Sequence, residues 1–560
     1  VPTTDQNRDC IAAMLLDRRG DTHPGLRTRE QDWTWDEVVA ESVARARLGR
    51  ALLADKPDMA PHIGVLLPNV ADFVFWLGAA ALGGMTVVGI NPTRGDAEMA
   101  AEIAHADCRL IITDSEGATR LAALGLELPA EQILVVGDAS YRAMLDAHRG
   151  DPAPTGPDTV GADTLMLLLF TSGTTGASKA VRCTQGRLAR IAYAARDKYG
   201  HRRTDVEYCS MPLFHGNAIM ALWAPALSVG ATVCLAPSFS ASGFLSDVRY
   251  FGATFFTYVG KALGYLMATP ERDDDADNPL ERGFGTEASP DDQVRFRRRF
   301  GAELHEGYGS SEGGGAVVLA PDAPAGALGR PAHDGVAIVD PVTLRDCAPA
   351  LLDGVGRVRN PDEAVGEIVD KFGTRSFEGY YKNDAADAER IRHGWYWTGD
   401  LGYLDEAGFI YFAGRRGDWI RVDGENLSAL TIEHVLRRHP AVIAAAAYAV
   451  PDPRSGDQVM AAVEVARPAD FDAAAFAEYL SGQPDLGAKA VPRLLRVSAR
   501  LPMTGSNKIV KHELQQQRWR TDEDVYRWSG RRPVVFELLD AEGRHALDAE
   551  FGDHGRQARA

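Results

Sequence analysis

The chain has 560 residues, 45% of them hydrophobic and 25% charged, with 60 basic against 78 acidic residues and a formal net charge of −18. At about 100–200 residues per domain this is long enough for three or four structural units, and the composition excludes a disordered chain, a small disulfide scaffold and a fibrous repeat. The acidic balance argues against a general nucleic-acid binder, and since only nine of the 60 basic residues are lysine, an anion must be met at local sites against the overall field.

In chain order, the first apolar run, Ile11 to Leu16, is too short and lacks the basic flank of a signal peptide. The six cysteines, Cys10, Cys108, Cys183, Cys209, Cys234 and Cys347, form no C-x-x-C pair. Neither a disulfide framework nor a zinc site is expected, and a reducing, cytoplasmic setting fits. From Ile63 the pattern alternates: strand IGVLLP, helix Ala71 to Leu82, strand MTVVGI, helix Ala97 to Ala106, strand RLIIT. This alternation predicts an α/β fold with parallel-rich sheets and crossover helices. Phe73 to Ile90 carries no charge, but Gly78, Gly83, Gly84 and Gly89 divide it into helix, glycine turn and buried strand. A buried strand, LMLLLF, begins at Leu165, and Thr184 is placed as the N-cap of a helix to Lys198. Further strands are expected at VEYCSM, ATVCLA and ATFFTY. Ala218 to Ser246 is uncharged too, yet Pro225, Gly230, Pro237 and Gly243 cut it, so no transmembrane span is expected; peripheral membrane contact stays open.

The acidic run from Asp273 to Pro279 reads as a solvated loop. Near residue 400 a hairpin turns at Asp405 to Gly408, and a smaller α+β unit follows, with WIRV, a helix from Ser428 to Arg438, AVIAAAAYAV, QVMAAVEV, a helix near Ala473 to Leu480, and LLRVS. The expected organisation is a large multi-subdomain N-terminal domain over 1–416, a small C-terminal domain over 417–539 and a mobile tail over 540–560.

Four segments carry chemistry. Thr171-Ser-Gly-Thr-Thr-Gly-Ala-Ser-Lys179 is read as a strand-to-helix loop in which Thr171, Ser172, Gly173, Thr174, Thr175 and Gly176 present donors to phosphate oxygens and Lys179 adds charge. It is not a Walker A loop, because Lys179 does not follow Gly176; a plain flexible connection is the alternative. Glu306-Gly-Tyr-Gly-Ser-Ser-Glu-Gly-Gly314 fails the dinucleotide fingerprint but satisfies G-x-S-x-G. One reading makes Ser311 a hydrolase nucleophile, with Asp400 and His434 as partners. The other has Tyr308 stacking on a base, Ser310 and Ser311 on phosphate beside Gly309, and Glu312 on Mg²⁺. In Trp397-Thr-Gly-Asp-Leu-Gly402 a carboxylate in a tight turn, Asp400, can accept both hydroxyls of a ribose, and Arg415 in Gly414-Arg-Arg-Gly-Asp418 meets ribose or phosphate; Asp400 can equally serve its own turn. In Leu501-Pro-Met-Thr-Gly-Ser-Asn-Lys-Ile509, Lys508 sits in a polar loop.

These segments, in this order, resemble the adenylate-forming superfamily of acyl-CoA synthetases, firefly luciferase and peptide-synthetase adenylation domains. The likeness runs from about Thr34 to Leu514 and includes Met211-Pro-Leu-Phe-His-Gly216, Gly379-Tyr-Tyr-Lys-Asn383 and Val422-Asp-Gly-Glu-Asn426. Within the superfamily the chain is most similar to the very-long-chain acyl-CoA synthetase and fatty-acid-transport-protein group, and to actinobacterial ligases of fatty acids or steroid side-chain acids. The resemblance implies a carboxylic acid plus ATP giving acyl-AMP and pyrophosphate, then displacement of AMP by CoA. It implies β/γ-phosphate binding by Thr171 to Lys179, adenine at Tyr308, α-phosphate at Ser311, Mg²⁺ at Glu312 and ribose at Asp400 and Arg415. Lys508 would bridge carboxylate and α-phosphate, His215 would line the acyl and thiol approach, and the small domain would rotate about Gly417. Asp423 stands where many relatives have glycine beside the CoA channel. The alternatives are a peptide-synthetase adenylation domain, made less fitting by His215-Gly-Asn where an aspartate would hold an ammonium, a luciferase-type oxygenase, a serine hydrolase using Ser311, and a non-catalytic acyl-binding or lipid-transport protein.

Overall fold

The computed structural model describes residues 9–554, apart from 56, 155–159, 173–177, 289, 314–316, 319, 321, 325, 355, 357, 374–376, 416–418, 423–424, 455, 505–507 and 530–532; for 172, 290, 425, 426 and 552 the backbone alone is described. Compactness divides the chain into two units, Val1–Ala288 with Gln293–Gly314 and Thr374–Glu389 in one, and Ser289–Asp292, Gly315–Gly373 and Arg390–Ala560 in the other. This groups the strands between 317 and 415 with the C-terminal residues, whereas the sequence pattern placed a boundary at 416/417. That junction itself lies outside the described residues.

The first unit holds two parallel-rich sheets. One runs in the order Ile133–Val135, Leu110–Thr113, His62–Leu66, Thr86–Gly89, Leu165–Ser172 and Ser178–Thr184, with every pairing parallel except the last. Its strands His62–Leu66, Thr86–Gly89 and Leu110–Thr113 are buried along their whole length, which is why they read as unbroken apolar runs instead of alternating ones. The helix Ala71–Gly83 ends where Gly84 adopts φ 65°, a left-handed cap that a side chain would strain. The second sheet runs Glu303–Glu306, Arg282–Thr286, Phe255–Val259, Val206–Cys209, Thr232–Leu235, Pro24–Arg27 and Asp32–Thr34, again parallel except at its last pair. Helices between parallel strands cover the faces, as the alternating pattern requires.

The second unit contains an antiparallel sheet ordered Val317–Val318, Ala327–Pro331, Ile410–Arg415, Trp395–Leu404, Gly366–Asp370 and Val336–Val339, and a five-stranded sheet from Ala444–Pro451 to Phe536–Leu538. The five-stranded sheet packs the helices Ala429–Arg437 and Ala473–Ser481 around one apolar core that includes Ile432, Val435, Phe476 and Leu480.

Two expectations fail. The segment assigned to a mobile tail forms the helix Ala541–Asp553, because Leu547 and Phe551 give it an apolar face that packs with Trp519. The acidic run at 273–279 is not wholly solvated: Asp275 is buried and accepts from Arg299 Nε at 2.6 Å, while the same guanidinium also donates to the carbonyls of Leu266, Thr269 and Pro270. Among the described residues no helix is long and apolar enough to cross a membrane.

Candidate active site

The strand Leu165–Ser172 does not lead into a helix. It turns back into Ser178–Thr184, with Thr171 opposite Lys179 and Ser172 opposite Ser178. The motif is therefore a hairpin tip, and the expected strand-to-helix loop, with its helix N-terminus, is corrected. The physical reason is that Ala180, Val181 and Cys183 bury against the sheet, so the chain makes one more strand before the helix begins. Gly173, Thr174, Thr175 and Gly176 lie outside the described residues. The helix Gln185–Tyr199 then starts where expected, with Thr184 Oγ1 accepting from Arg187 N at 3.2 Å.

A segment from the GYYKN motif closes the hairpin's open edge. Arg182 N donates to Gly379 O at 3.1 Å and Tyr381 N to Ala180 O at 2.8 Å. This places Tyr380, which is buried, with its hydroxyl donating to Glu312 Oε1 at 3.1 Å. Thr171 Oγ1 donates to the same oxygen at 3.3 Å. A carboxylate 6% exposed is tolerated only when such donors replace water. Lys179 lies with its ammonium 5.4 Å from the centre of the Tyr380 ring and 3.0 Å from Glu389 Oε2.

Ser311 and Glu312 belong to the turn that follows the strand Glu303–Glu306, and Ser310 O closes it by accepting from Gly313 N at 3.0 Å. Tyr308, Gly309 and Ser310 precede it, the last two exposed. Arg187, buried on the helix Gln185–Tyr199, donates to Ser311 O at 2.6 Å and to Arg182 O at 2.7 Å. One guanidinium thus ties the hairpin to the Ser311 turn, a link that a solitary arginine in a helical pattern does not reveal. His215 stands immediately before the short helix Gly216–Ala218. A Cβ on Gly216 would lie 3.1 Å from Ser311 Oγ, so His215-Gly216 abuts the serine directly. Gly216–Ala218 continues as a π-helical turn, Ile219–Trp223, and Asn217 Nδ2 donates to Tyr258 O at 3.3 Å. π-Turns of this kind recur at functional sites.

Glu306 was missed in the sequence. Its Oε1 accepts from the Tyr258 hydroxyl at 2.6 Å and its Oε2 from Ala288 N at 3.2 Å, and burial pushes its carboxyl up to about 8. A signal was present, since Glu306 closes a parallel strand two residues before Tyr308, at the carboxyl edge where open α/β sheets bind ligands.

The second unit carries the other expected groups. Asp400 faces Arg415 across the hairpin of Trp395–Leu404 and Ile410–Arg415, with Arg415 Nε 3.4 Å from Asp400 Oδ1. Asp400 lies within a ten-residue strand and not in an isolated tight turn. The local kink is at Gly399, whose φ is 76° and whose N–H donates to Glu367 Oε1 at 2.8 Å. Lys508 is held in a small hairpin in which Thr504 N donates to Lys508 O at 2.8 Å and Lys508 N to Thr504 Oγ1 at 3.0 Å. Gly417 and Asp423 lie outside the described residues. In unit one the structure thus brings together Thr171, Lys179 and Glu312, with Ser311 beside His215-Gly216; in unit two it pairs Asp400 with Arg415.

The hydrolase reading of Ser311 does not fit. A nucleophile elbow is a strand, a turn and a helix, whereas the next described element after this turn is the strand Val317–Val318. Burial, with Arg437 and Arg438 nearby, also pushes His434 down to about 3, too acidic to serve as a base near neutral pH.

Comparison with known proteins gives the family. A family model described as AMP-binding enzyme matches residues 16–381, and the AMP-binding enzyme C-terminal domain matches 431–508. The chain is 65% identical over 98% of both chains to a steroid-22-oyl-CoA synthetase of Rhodococcus jostii. It is 45% identical to a medium/long-chain-fatty-acid–CoA ligase of Mycobacterium tuberculosis, over 90% of this chain and 96% of that one. In fold it is similar to an anthranilate CoA ligase solved with anthranoyl-AMP, with a TM-score of 0.79 at 20% identity over 90% of this chain and 96% of that one. The chain belongs to the family of AMP-binding enzymes.

Proposed function

We propose that this protein is an ATP-dependent, AMP-forming acyl-CoA ligase whose acid is bulky and hydrophobic, with a steroid-22-oic acid as its substrate. The observation that carries the substrate is the 65% identity to the steroid-22-oyl-CoA synthetase, against 45% to the fatty-acid ligase. The largely apolar composition of Ile219–Trp223 and Gly260–Ala268 supports a hydrophobic acid.

In the first half-reaction a carboxylate oxygen attacks the α-phosphorus of ATP; the new O–P bond forms as the bond to pyrophosphate breaks. In the second, the CoA sulfur attacks the acyl carbon, the thiol proton is released and AMP leaves. Lys179 and the hairpin tip take the β/γ-phosphates, Ser311 the α-phosphate, Tyr308 the adenine, and Asp400 with Arg415 the ribose. Lys508 is assigned to the attacking carboxylate and the α-phosphate, where it would act by electrostatic stabilisation. Glu312, fixed by two hydroxyl donors, would hold Mg²⁺, which would supply charge neutralisation on the polyphosphate. His215, against Ser311 through Gly216, lines the acyl and thiol approach. The small domain rotates between half-reactions. Buried cysteines such as Cys183, Cys209 and Cys234, none in a disulfide, support a reducing, cytoplasmic setting.

Pyrophosphate release with a steroid-22-oic acid and a long-chain fatty acid, followed by thioester detection after CoA is added, tests this directly. The steroid acid should give the higher kcat/KM. A preference for the fatty acid overturns the substrate, and no ATP consumption with either overturns the ligase.

A further inference from the structure

Lys179 and Glu389 meet at 3.0 Å, but the two sides of the pair differ in freedom: the lysine side chain is 10% exposed and the glutamate 61%. The lysine is fixed by its strand register opposite Thr171 and by the ring of Tyr380. Glu389 projects from the short helix Asp384–Arg390. An ammonium withdrawn from water needs a counter-charge close by. An exposed carboxylate goes back to water at little cost, because most of its hydration is already in place.

We infer that Glu389 is the resident counter-ion of Lys179, which the phosphates of ATP displace, so that this glutamate sets the threshold for nucleotide binding. The inference rests on Lys179 being a phosphate ligand, as proposed above. Before ATP arrives, Glu389 keeps the ammonium neutralised. A polyphosphate outcompetes one carboxylate by charge, whereas a monoanion such as the acid substrate does not, so the exchange also keeps the acid off the phosphate subsite. The glutamate leaves and the lysine stays, because the side chain with water behind it is the one that moves.

Equilibrium binding of Mg-ATP to the full chain, without the acid so that no turnover occurs, tests the exchange. Glu389→Gln should lower the Kd by about twofold or more, and the gain should vanish in the Lys179→Met background. Asp384→Asn, which removes one charge from the exposed start of the same helix, should change the Kd by less. If Glu389→Gln binds ATP no more tightly while Lys179→Met binds it more weakly, the exchange is overturned and the phosphate reading stands. If Lys179→Met binds ATP as the unmodified chain does, the phosphate reading falls and the exchange with it. An equal gain from Asp384→Asn also overturns the exchange, in favour of a general charge effect.

Discussion

The two places proposed to carry positive charge toward ATP are built in different ways. Lys179 is buried in a strand against an aromatic ring, and its neighbour Glu312 is gripped by two hydroxyls. Arg415 is half exposed on a hairpin edge, and Lys508 rides on a small loop closed by two hydrogen bonds to Thr504. The first arrangement is preorganised: its cost of ordering is met during folding, and on the reading proposed above only the exposed Glu389 side chain moves when phosphate binds. The second is the more open of the two, with the Arg415 side chain half exposed to solvent.

The largest expected break in that comparison is at Lys508. Lys508→Ala should slow adenylation by about 10²–10³-fold, the scale for removing one preorganised stabilising group, with a much smaller effect on thioester formation from supplied acyl-AMP. Single-turnover kinetics of each half-reaction read this out, and equal losses in both would erase the contrast between fixed and alternating groups. Next is the fixed side. Glu312→Gln, which keeps the shape and removes the charge, should weaken adenylation by roughly tenfold or more and raise the Mg²⁺ concentration needed for tight ATP binding, as measured by ATP titration at several Mg²⁺ levels. An unchanged Mg²⁺ dependence would remove Glu312 from the metal.

A separate effect is one of stability. The Glu306 carboxyl is raised from 4.5 to about 8 by burial, so the folded protein keeps a proton that the unfolded chain releases near its ordinary value. Between those two values the native state holds more protons than the unfolded one. Stability therefore falls as pH rises through that window, by up to ~1.4 kcal/mol per pH unit. Glu306→Gln should flatten this slope, seen as a Tm difference from the unmodified protein that grows from pH 5 to 8. A constant difference would mean that Glu306 ionises normally.

Much of the fold was legible. Continuous apolar runs such as Leu165 to Phe170, glycine stops such as Gly84 and the cap at Thr184 act over a few residues, and the structure places strand, turn and helix start there. The polar motifs were also visible, since Thr171, Lys179, Ser311 and Glu312 stand in unusual local sequences. What escaped were links across long sequence separations: Tyr380 to Glu312, Arg187 to Ser311, and Asp275 to Arg299. Each joins an ordinary-looking residue to a distant partner, and no local pattern records that. The helix Ala541–Asp553 was missed for a related reason: its Leu547 and Phe551 make an apolar face only when Trp519 is there to receive it.

By itself the sequence determined the α/β class, the order of the motifs and the residue types available for phosphate chemistry, because propensity, capping and periodicity are local properties of the chain. Only the tertiary structure decided that the phosphate motif is a hairpin, that Tyr380 and Thr171 share one oxygen of Glu312, and that Glu389 sits on Lys179. Those are pairings between segments up to 210 residues apart, and burial and charge become properties of a residue only once folding has chosen its neighbours.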